Sequence, residues 1–132
     1  MKKVKILIAE DDPDFRDSLK SVLESQQYTV ITAVDKADGM EKIKNEKPDL
    51  AILDIMMSTW EDGLQMSREL KNDPQFKDMP IIMLTGIRTE ISIDFKATVG
   101  DPAWCPVDAY LEKPIEPDIL LGEVAKLLAG KT

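Results

Sequence analysis

The sequence contains no histidine and a single cysteine, Cys105. Without histidine the chain cannot form a serine–histidine–aspartate triad, a histidine-ligated metal site or a phosphohistidine of its own. One cysteine cannot supply an internal disulfide framework or a multi-cysteine zinc site. These absences exclude several large classes of enzyme and of metal-stabilised domain, and they leave carboxylates, hydroxyls and amines to carry any chemistry.

Long apolar runs and an excess of positive charge are also absent. The basic start, Met1–Lys3, is followed by an apolar run that ends at Glu10, which is too short for the core of a signal peptide. No run is long enough to cross a bilayer. The 132 residues carry 17 basic and 25 acidic side chains, a net charge of −8, so bulk attraction to nucleic acid or anionic lipid is not expected. We therefore expect a cytoplasmic protein of one domain that binds neither nucleic acid nor membrane.

Short apolar runs alternate with amphipathic stretches along the chain. The apolar runs predict buried strands, whereas the stretches between them repeat apolar residues at helical spacing. Strand–helix units in series predict a parallel sheet with helices on both of its faces, joined by right-handed crossovers. The predicted strands are Val4–Ala9, Tyr28–Val34, Leu50–Leu53, Pro80–Leu84 and Ala109–Glu112. The predicted helices are Pro13–Ser25, Ala37–Lys44, Gly63–Asn72, a segment within Arg88–Thr98, and Glu116–Ala129.

Residues that can carry chemistry directly follow four of the five predicted strands. In a parallel α/β sheet, ligands bind beyond the carboxyl ends of the strands, so these residues are expected to converge on one cleft. Several carboxylates in one cleft require a counter-charge, which a lysine and a hard cation such as Mg²⁺ could supply. A hydroxyl and an ammonium group could bind the oxygens of a phosphoryl group. The residues are Glu10, Asp11 and Asp12 after the first strand, Asp54 after the third, Thr85 after the fourth and Lys113 after the fifth.

Taken singly, each of these residues has an ordinary structural explanation. An acidic run such as Glu10–Asp12 is often a solvated turn or a helix cap, and a lone aspartate at a strand end is often a cap as well. Their shared position at the same ends of four strands is what points to function. Other phosphate-binding α/β domains fit less well, because acids stand where a glycine-rich phosphate loop would follow the first strand. A phosphatase of the haloacid dehalogenase type would need a second aspartate two residues after Asp54, where Met56 stands.

Several segments together resemble the receiver domain of two-component response regulators, of the single-domain kind typified by the chemotaxis response regulator. They are Ile6–Pro13 (ILIAEDDP), Pro48–Met57 (PDLAILDIMM), Asp62–Gly63, Ile81–Gly86 (IIMLTG) and Tyr110–Pro114 (YLEKP). The resemblance implies a flavodoxin-like α/β fold, a three-layer sandwich around a doubly wound, five-stranded parallel sheet in the order 2-1-3-4-5. It also implies a single receiver domain over residues 1–132 with no effector domain.

For the chemistry, the resemblance implies a magnesium-dependent acceptor at the end of the third strand. Asp54 would accept a phosphoryl group from a histidine kinase or a phosphotransfer protein. Asp12 and Asp54 would bind Mg²⁺ directly, Asp11 would act partly through water, and the backbone carbonyl of Met56 would be a further ligand. Mg²⁺ would screen the charge of the aspartate from the incoming phosphoryl oxygens. The implied reactions are self-phosphorylation from a phosphodonor and autodephosphorylation, with no enzymatic activity on an outside substrate.

For the switch, the resemblance implies a response on the neighbouring strands. Thr85 and Lys113 would bind the phosphoryl oxygens, and the ring of Tyr110 would change rotamer as Thr85 shifts. The added charge would bias two pre-existing conformations of the surface around the fifth strand. The output would be contact with a downstream protein target, made by a monomer or a weak dimer.

Two segments depart from the usual pattern of this family. Ser58 stands where a proline is usual, and the loop that leads from it to the next helix contains Trp60 and an apparent extra residue. The stretch Gly100–Val107 is also long for the family. These departures leave open a receiver-shaped adaptor that works without phosphate. A phosphate sink that drains a kinase and a Mg²⁺-dependent phosphohydrolase also remain as alternatives, the last disfavoured by Met56.

Overall fold

The computed structural model describes residues 3–54, 62–85, 107–112 and 115–130. Within these ranges the chain forms five β-strands and four α-helices. No helix within them is both long enough and apolar enough to span a lipid bilayer. The strands are β1 (Lys5–Ala9), β2 (Thr29–Ala33), β3 (Leu50–Asp54), β4 (Ile81–Thr85) and β5 (Ala109–Glu112). The helices are α1 (Pro13–Glu24), α2 (Lys36–Glu46), α3 (Asp62–Asn72) and α4 (Pro117–Ala129).

The five strands form one sheet in the order β2-β1-β3-β4-β5, and every neighbouring pair is parallel. This confirms the predicted doubly wound α/β fold, and the strand bounds agree with the predicted ones to within one residue. Because the strands are parallel, their carboxyl ends lie along one edge of the sheet, which we call the carboxyl edge. Asp54 and Thr85 are the last residues of β3 and β4, and Glu10 directly follows β1, so all three lie along this edge.

The sheet is buried on both faces. Successive side chains of a strand point to opposite faces, so alternate residues of the central strands enter two separate apolar clusters. In β1, Leu7 and Ala9 belong to one cluster, and Ile6 and Ile8 belong to the other. A parallel sheet covered on both faces requires strands that are apolar nearly throughout, which is why they are visible in the sequence. The helices add Ile43, Leu64, Met66 and Leu70 of α2 and α3 to the first cluster, and Leu19, Leu23, Leu120 and Val124 of α1 and α4 to the second.

The bounds of α2 are set by its caps. Its N-cap residue, Asp35, accepts a hydrogen bond at Oδ1 from the backbone N–H of Asp38, at 2.8 Å. At the other end Lys47 takes a left-handed conformation, with φ of 50°, and stops the helix just before Pro48. The helix is therefore longer at both ends than the predicted Ala37–Lys44. The helix predicted within residues 88–98 lies outside the described residues.

Candidate functional site

Three carboxylates meet at the carboxyl edge of the sheet. Glu10 directly follows β1, Asp11 comes next, and Asp54 is the last residue of β3. Each contributes a carboxylate oxygen to a group whose members lie within 4.8 Å of one another. Glu10 and Asp54 are buried, with 0% and 4% of their surface exposed, whereas Asp11 is exposed. This carboxylate group thus has two members inside the protein and one at its open side.

Strand register explains why Glu10 and Asp54 meet. In the parallel pairing of β1 and β3, Ala9 is the partner of Leu53, and Glu10 and Asp54 are the residues that follow this pair. The backbone N–H of Glu10 donates to the carbonyl oxygen of Ala33 at 3.0 Å, so the chain stays beside β2 for one residue beyond β1. The register of the sheet therefore sets the two buried carboxylates side by side.

The loop between β1 and α1 is held by its own polar groups. The backbone N–H of Asp12 donates to Oε1 of Glu10 at 3.2 Å. Asp12 is also the N-cap residue of α1, and its Oδ1 accepts from the backbone N–H groups of Asp14 at 3.0 Å and Phe15 at 3.4 Å. Such a cap satisfies amide groups that have no partner within the helix and contributes about 1 kcal/mol. The carboxylate of Asp12 is therefore used at the start of the helix.

Arg16 reaches back from the first turn of α1 to the same loop. Its Nη1 donates to the carbonyl oxygen of Glu10 at 2.9 Å. Its backbone N–H donates to the carbonyl oxygen of Asp12, also at 2.9 Å. The side chain is half-buried. Because a guanidinium group is planar and always charged, this bond sets a rigid, positively charged donor against the loop that carries the carboxylates.

The carboxylate group differs from the predicted metal set in one member. The structure brings together the predicted Asp11 and Asp54, and within the described part of the chain their third neighbour is Glu10. Asp12, predicted as a direct ligand of Mg²⁺, is not in the group, because its carboxylate caps α1. Sequence reasoning placed Glu10 at the strand end without giving it a ligand role. The signal that identifies Glu10 is its place in the alternation of side chains along the strand. Glu10 lies two residues beyond Ile8, just as Asp54 lies two residues beyond Ile52, and Ile8 and Ile52 belong to the same apolar cluster.

Thr85 lies on the strand next to Asp54. β3 and β4 are neighbours in the sheet, and Asp54 is paired with Leu84. Thr85 is the next residue after Leu84 and the last residue of β4. The backbone therefore brings the predicted phosphoacceptor and the predicted switch threonine to one edge, one residue apart along the strand direction.

Tyr110 lies on β5, the outermost strand on this side of the sheet. It is paired with Met83 of β4, is half-buried, and packs against the apolar cluster that α2 and α3 cover. Lys113 and Met56, the other predicted site residues, lie outside the described residues, as do Trp60 and the segment 100–106. The roles predicted for them stay predictions.

Comparison with known proteins identifies the fold and its family. A family model described as the response regulator receiver domain matches residues 6–125. The chain is 36% identical over 125 residues to the response regulator MprA of Mycobacterium ulcerans, covering 95% of this chain and 50% of that protein. A solved CheY-like response regulator receiver domain protein from Methanospirillum hungatei is 30% identical, with a TM-score of 0.81 and coverage of 98% of this chain and 97% of that chain. The signal receiver domain of a signal transduction histidine kinase from Syntrophus aciditrophicus is 28% identical, with a TM-score of 0.84 and coverage of 96% and 91%.

The matched region contains the carboxylate group. Residues 6–125 include Glu10, Asp11, Asp54, Thr85 and Tyr110, and they span all five strands from Ile6 of β1 onward. The chain spans half the length of its mycobacterial relative, so that comparison concerns one part of the relative. Family model, relative and fold agree, and the chain belongs to the response regulator receiver domain family of two-component systems.

Proposed function

We propose that this chain is a phosphorylation-switched regulator in two-component signalling, with Asp54 as its phosphoacceptor. The observation that carries the proposal is the place of Asp54 at the end of β3, inside a group of three carboxylates at the carboxyl edge. This edge is where parallel α/β sheets bind their ligands. A carboxylate is a weak nucleophile, and one crowded by two others needs a cation before it can meet an anionic phosphoryl group.

The donors of the carboxylate group suit Mg²⁺. This hard cation takes oxygen ligands and is commonly held by one or two carboxylates together with water and a phosphate. Asp11 and Asp54 are the carboxylates proposed to contact the ion, with the backbone carbonyl of Met56 as a further ligand. Glu10 completes the negative field, and Asp12 keeps its place as the cap of α1. When bound, Mg²⁺ would neutralise the charge that separates the acceptor carboxylate from a phosphoryl donor.

The proposed transfer is an in-line displacement at phosphorus. One carboxylate oxygen of Asp54 forms the new P–O bond while the P–N bond to a histidine of the donor breaks, and the electron pair of that bond returns to the imidazole nitrogen. Water later cleaves the acyl phosphate, which releases inorganic phosphate and restores the carboxylate. The reactions are thus self-phosphorylation and autodephosphorylation, and the phosphoryl group is a signal carried by the chain.

Thr85, Lys113 and Tyr110 are proposed to convert this signal into a change of surface. Thr85 ends the strand beside Asp54, and Tyr110 lies on the strand after that. A phosphoryl group brings negative charge and new acceptor oxygens, which a hydroxyl and an ammonium group can bind. Their movement toward the phosphoryl group would favour one of two conformations of the surface around β5.

The proposed partners are a histidine kinase or phosphotransfer protein as donor and a downstream protein as target. The similar receiver from Syntrophus aciditrophicus is itself part of a signal transduction histidine kinase. The net charge of −8 disfavours attraction to nucleic acid or to anionic lipid. A cytoplasmic location, a monomeric or weakly dimeric state, and the assignment of residues 1–132 to one receiver domain stay predictions.

Phosphorylation by acetyl phosphate, read by intact mass, tests the proposal. The wild-type chain should gain the mass of one phosphoryl group only when Mg²⁺ is present, and Asp54→Asn should gain none. Asp49→Asn is the matched control, because Asp49 precedes β3 and accepts from the backbone N–H of Lys5 at 2.9 Å, away from the carboxyl edge. This control should be phosphorylated as the wild type is.

Two other outcomes separate the alternatives. If several phosphodonors leave the wild-type mass unchanged while Mg²⁺ binds, the proposal is wrong and the phosphate-independent adaptor is favoured. If the phosphoryl group forms but is lost within seconds, the chain fits a phosphate sink better than a lasting switch. Steady hydrolysis of an added phosphomonoester would instead support the phosphohydrolase.

A further inference from the structure

We infer that Arg16 is a positioning residue for the carboxylate group: it fixes the loop between β1 and α1 so that Glu10 and Asp11 converge on Asp54. The inference rests on the proposed function, because the quantity that Arg16 is said to govern is the affinity of this group for Mg²⁺. Arg16 acts through the loop backbone, so it is not assigned any contact with the ion or with the phosphoryl group.

The bond that carries the inference joins a charged side chain to a buried backbone group. Nη1 of Arg16 lies 2.9 Å from the carbonyl oxygen of Glu10, six residues earlier in the chain. Glu10 is fully buried, with 0% of its surface exposed. Buried carbonyl groups require a donor, and a charged donor gives a stronger bond than a neutral one. The guanidinium therefore ties the end of β1 to the first turn of α1.

Four further hydrogen bonds fix the loop around Asp11. The backbone N–H of Asp12 donates to Oε1 of Glu10, and the carboxylate of Asp12 caps α1. The backbone N–H of Arg16 returns to the carbonyl oxygen of Asp12 at 2.9 Å. Asp11 stands between these anchored residues and is the exposed member of the carboxylate group. With both of its neighbours fixed, the backbone of Asp11 is held in place before a metal ion arrives, which spares part of the cost of ordering this residue on binding.

The charge of Arg16 acts on metal binding in the opposite direction to its hydrogen bond. A nearby guanidinium repels a divalent cation and would weaken its binding, whereas a fixed loop strengthens it. Removing both the charge and the bond therefore separates the two roles. Weaker Mg²⁺ binding in such a variant indicates positioning, and tighter binding indicates simple charge repulsion.

Thermal unfolding at a series of Mg²⁺ concentrations tests the inference, because it reports stability without metal and, from the rise in stability with concentration, the Kd for Mg²⁺. Arg16→Met removes the charge and the bond and should raise this Kd about tenfold, the lower end of the range for residues that support metal ligands. Arg16→Lys keeps a charged donor and should stay within about threefold of the wild type. Arg16→Leu, which also lacks both the charge and the donor, replaces Arg16→Met, with the same expected weakening, if the methionine variant does not fold.

Lys42→Met is the matched control. Nζ of Lys42 donates to the carbonyl oxygen of Thr32 in β2 at 2.7 Å, a helix-to-strand bond of the same kind. This variant should lose stability without any change in the Kd for Mg²⁺. An unchanged or lower Kd in Arg16→Met would overturn the inference and leave the proposed function standing. A wild-type chain that Mg²⁺ does not stabilise would overturn the proposed function, and the inference with it.

Discussion

Glu10 and Asp54 directly follow Ala9 and Leu53, the last pair between β1 and β3, and their carboxylate oxygens lie within 4.8 Å of each other. Both residues are buried. Two like charges at this distance away from water repel each other, and a third carboxylate, that of Asp11, adds to the repulsion. This repulsion is an electrostatic cost at the carboxyl edge that a bound cation would relieve, so we expect metal binding to raise the stability of the fold.

Replacing Glu10 with glutamine should stabilise the metal-free protein. The change removes one negative charge and keeps a side-chain oxygen for the backbone N–H of Asp12, which now donates to Oε1 of Glu10 at 3.2 Å. We expect the free energy of unfolding without Mg²⁺, measured with urea, to rise by about 1 kcal/mol. The extra stability that Mg²⁺ provides should shrink in the same variant. A loss of stability in the absence of Mg²⁺ would contradict the repulsion argument.

The adjacent residues Asp11 and Asp12 should respond differently to the same change. Asparagine caps helices as well as aspartate does, so Asp12→Asn should leave α1 intact and alter the Kd for Mg²⁺ by less than about twofold. Asp11→Asn removes a member of the carboxylate group and should raise the Kd by at least about tenfold. Titration calorimetry with MgCl₂ measures both. Equal weakening in the two variants would make Asp12 a ligand and contradict its assignment as a cap.

The sequence predicted the sheet more readily than the membership of the site. Runs rich in apolar and β-branched residues predicted all five strands, because a parallel sheet that is covered on both faces needs them. Residue type alone does not distinguish the buried carboxylate from the helix cap in the run Glu10-Asp11-Asp12, and only the strand alternation that continues from Ile8 points to Glu10. That Glu10 meets Asp54 follows from register, which pairs Ala9 with Leu53, and register depends on contacts between distant segments.

The same limit applies to the ends of helices and to supporting residues. The left-handed conformation of Lys47, which ends α2, is not encoded by a glycine or asparagine that could have predicted it. The bond from Arg16 to the carbonyl oxygen of Glu10 needs the turn between β1 and α1 to be formed before its length can be known. Sequence periodicity therefore predicts elements, and three-dimensional structure is needed for the polar groups between them.

Removing the cap carboxylate should lower stability at the carboxyl edge. Asp12→Ala leaves the backbone N–H groups of Asp14 and Phe15 without the side-chain acceptor they now have, and should cost about 1 kcal/mol in urea unfolding. Asp35→Ala, at the N-cap of α2, is the control and should cost a similar amount. Only Asp12→Ala should also weaken Mg²⁺ binding, by about threefold, because its loop carries Asp11. A change in the Kd for Mg²⁺ in Asp35→Ala would show that the effect is not specific to the loop.

A group of hydrogen bonds at the opposite edge of the sheet, where the strands begin, is expected to contribute to stability and not to phosphorylation. We call this group the polar tie. Nζ of Lys71, in α3, donates to the carbonyl oxygen of Met79 at 2.8 Å and to Oδ2 of Asp108 at 3.1 Å. The same Oδ2 accepts from the backbone N–H of Ile81 at 2.8 Å. The Lys71 side chain is 18% exposed and that of Asp108 is 38% exposed, so these bonds are only partly shielded from water. They join α3 to the starts of β4 and β5.

Asp108→Ala should therefore cost about 2 kcal/mol of unfolding free energy, mainly because it leaves the backbone N–H of the fully buried Ile81 without its acceptor, and also because it removes an acceptor from the half-buried ammonium group of Lys71. Glu46→Gln is the control: the ion pair of Glu46 with Lys5 spans 3.7 Å between side chains that are 50% and 41% exposed, and its loss should cost less than about 0.5 kcal/mol. Asp108→Asn should lie between them, since its amide oxygen can still accept from Ile81. All three variants should take a phosphoryl group from acetyl phosphate at the wild-type level below their unfolding temperatures, because the tie is at the amino ends of the strands and Asp54 is at a carboxyl end. If Asp108→Ala and Glu46→Gln lowered the free energy of unfolding equally, the partial burial of the polar tie would add nothing to its contribution to stability.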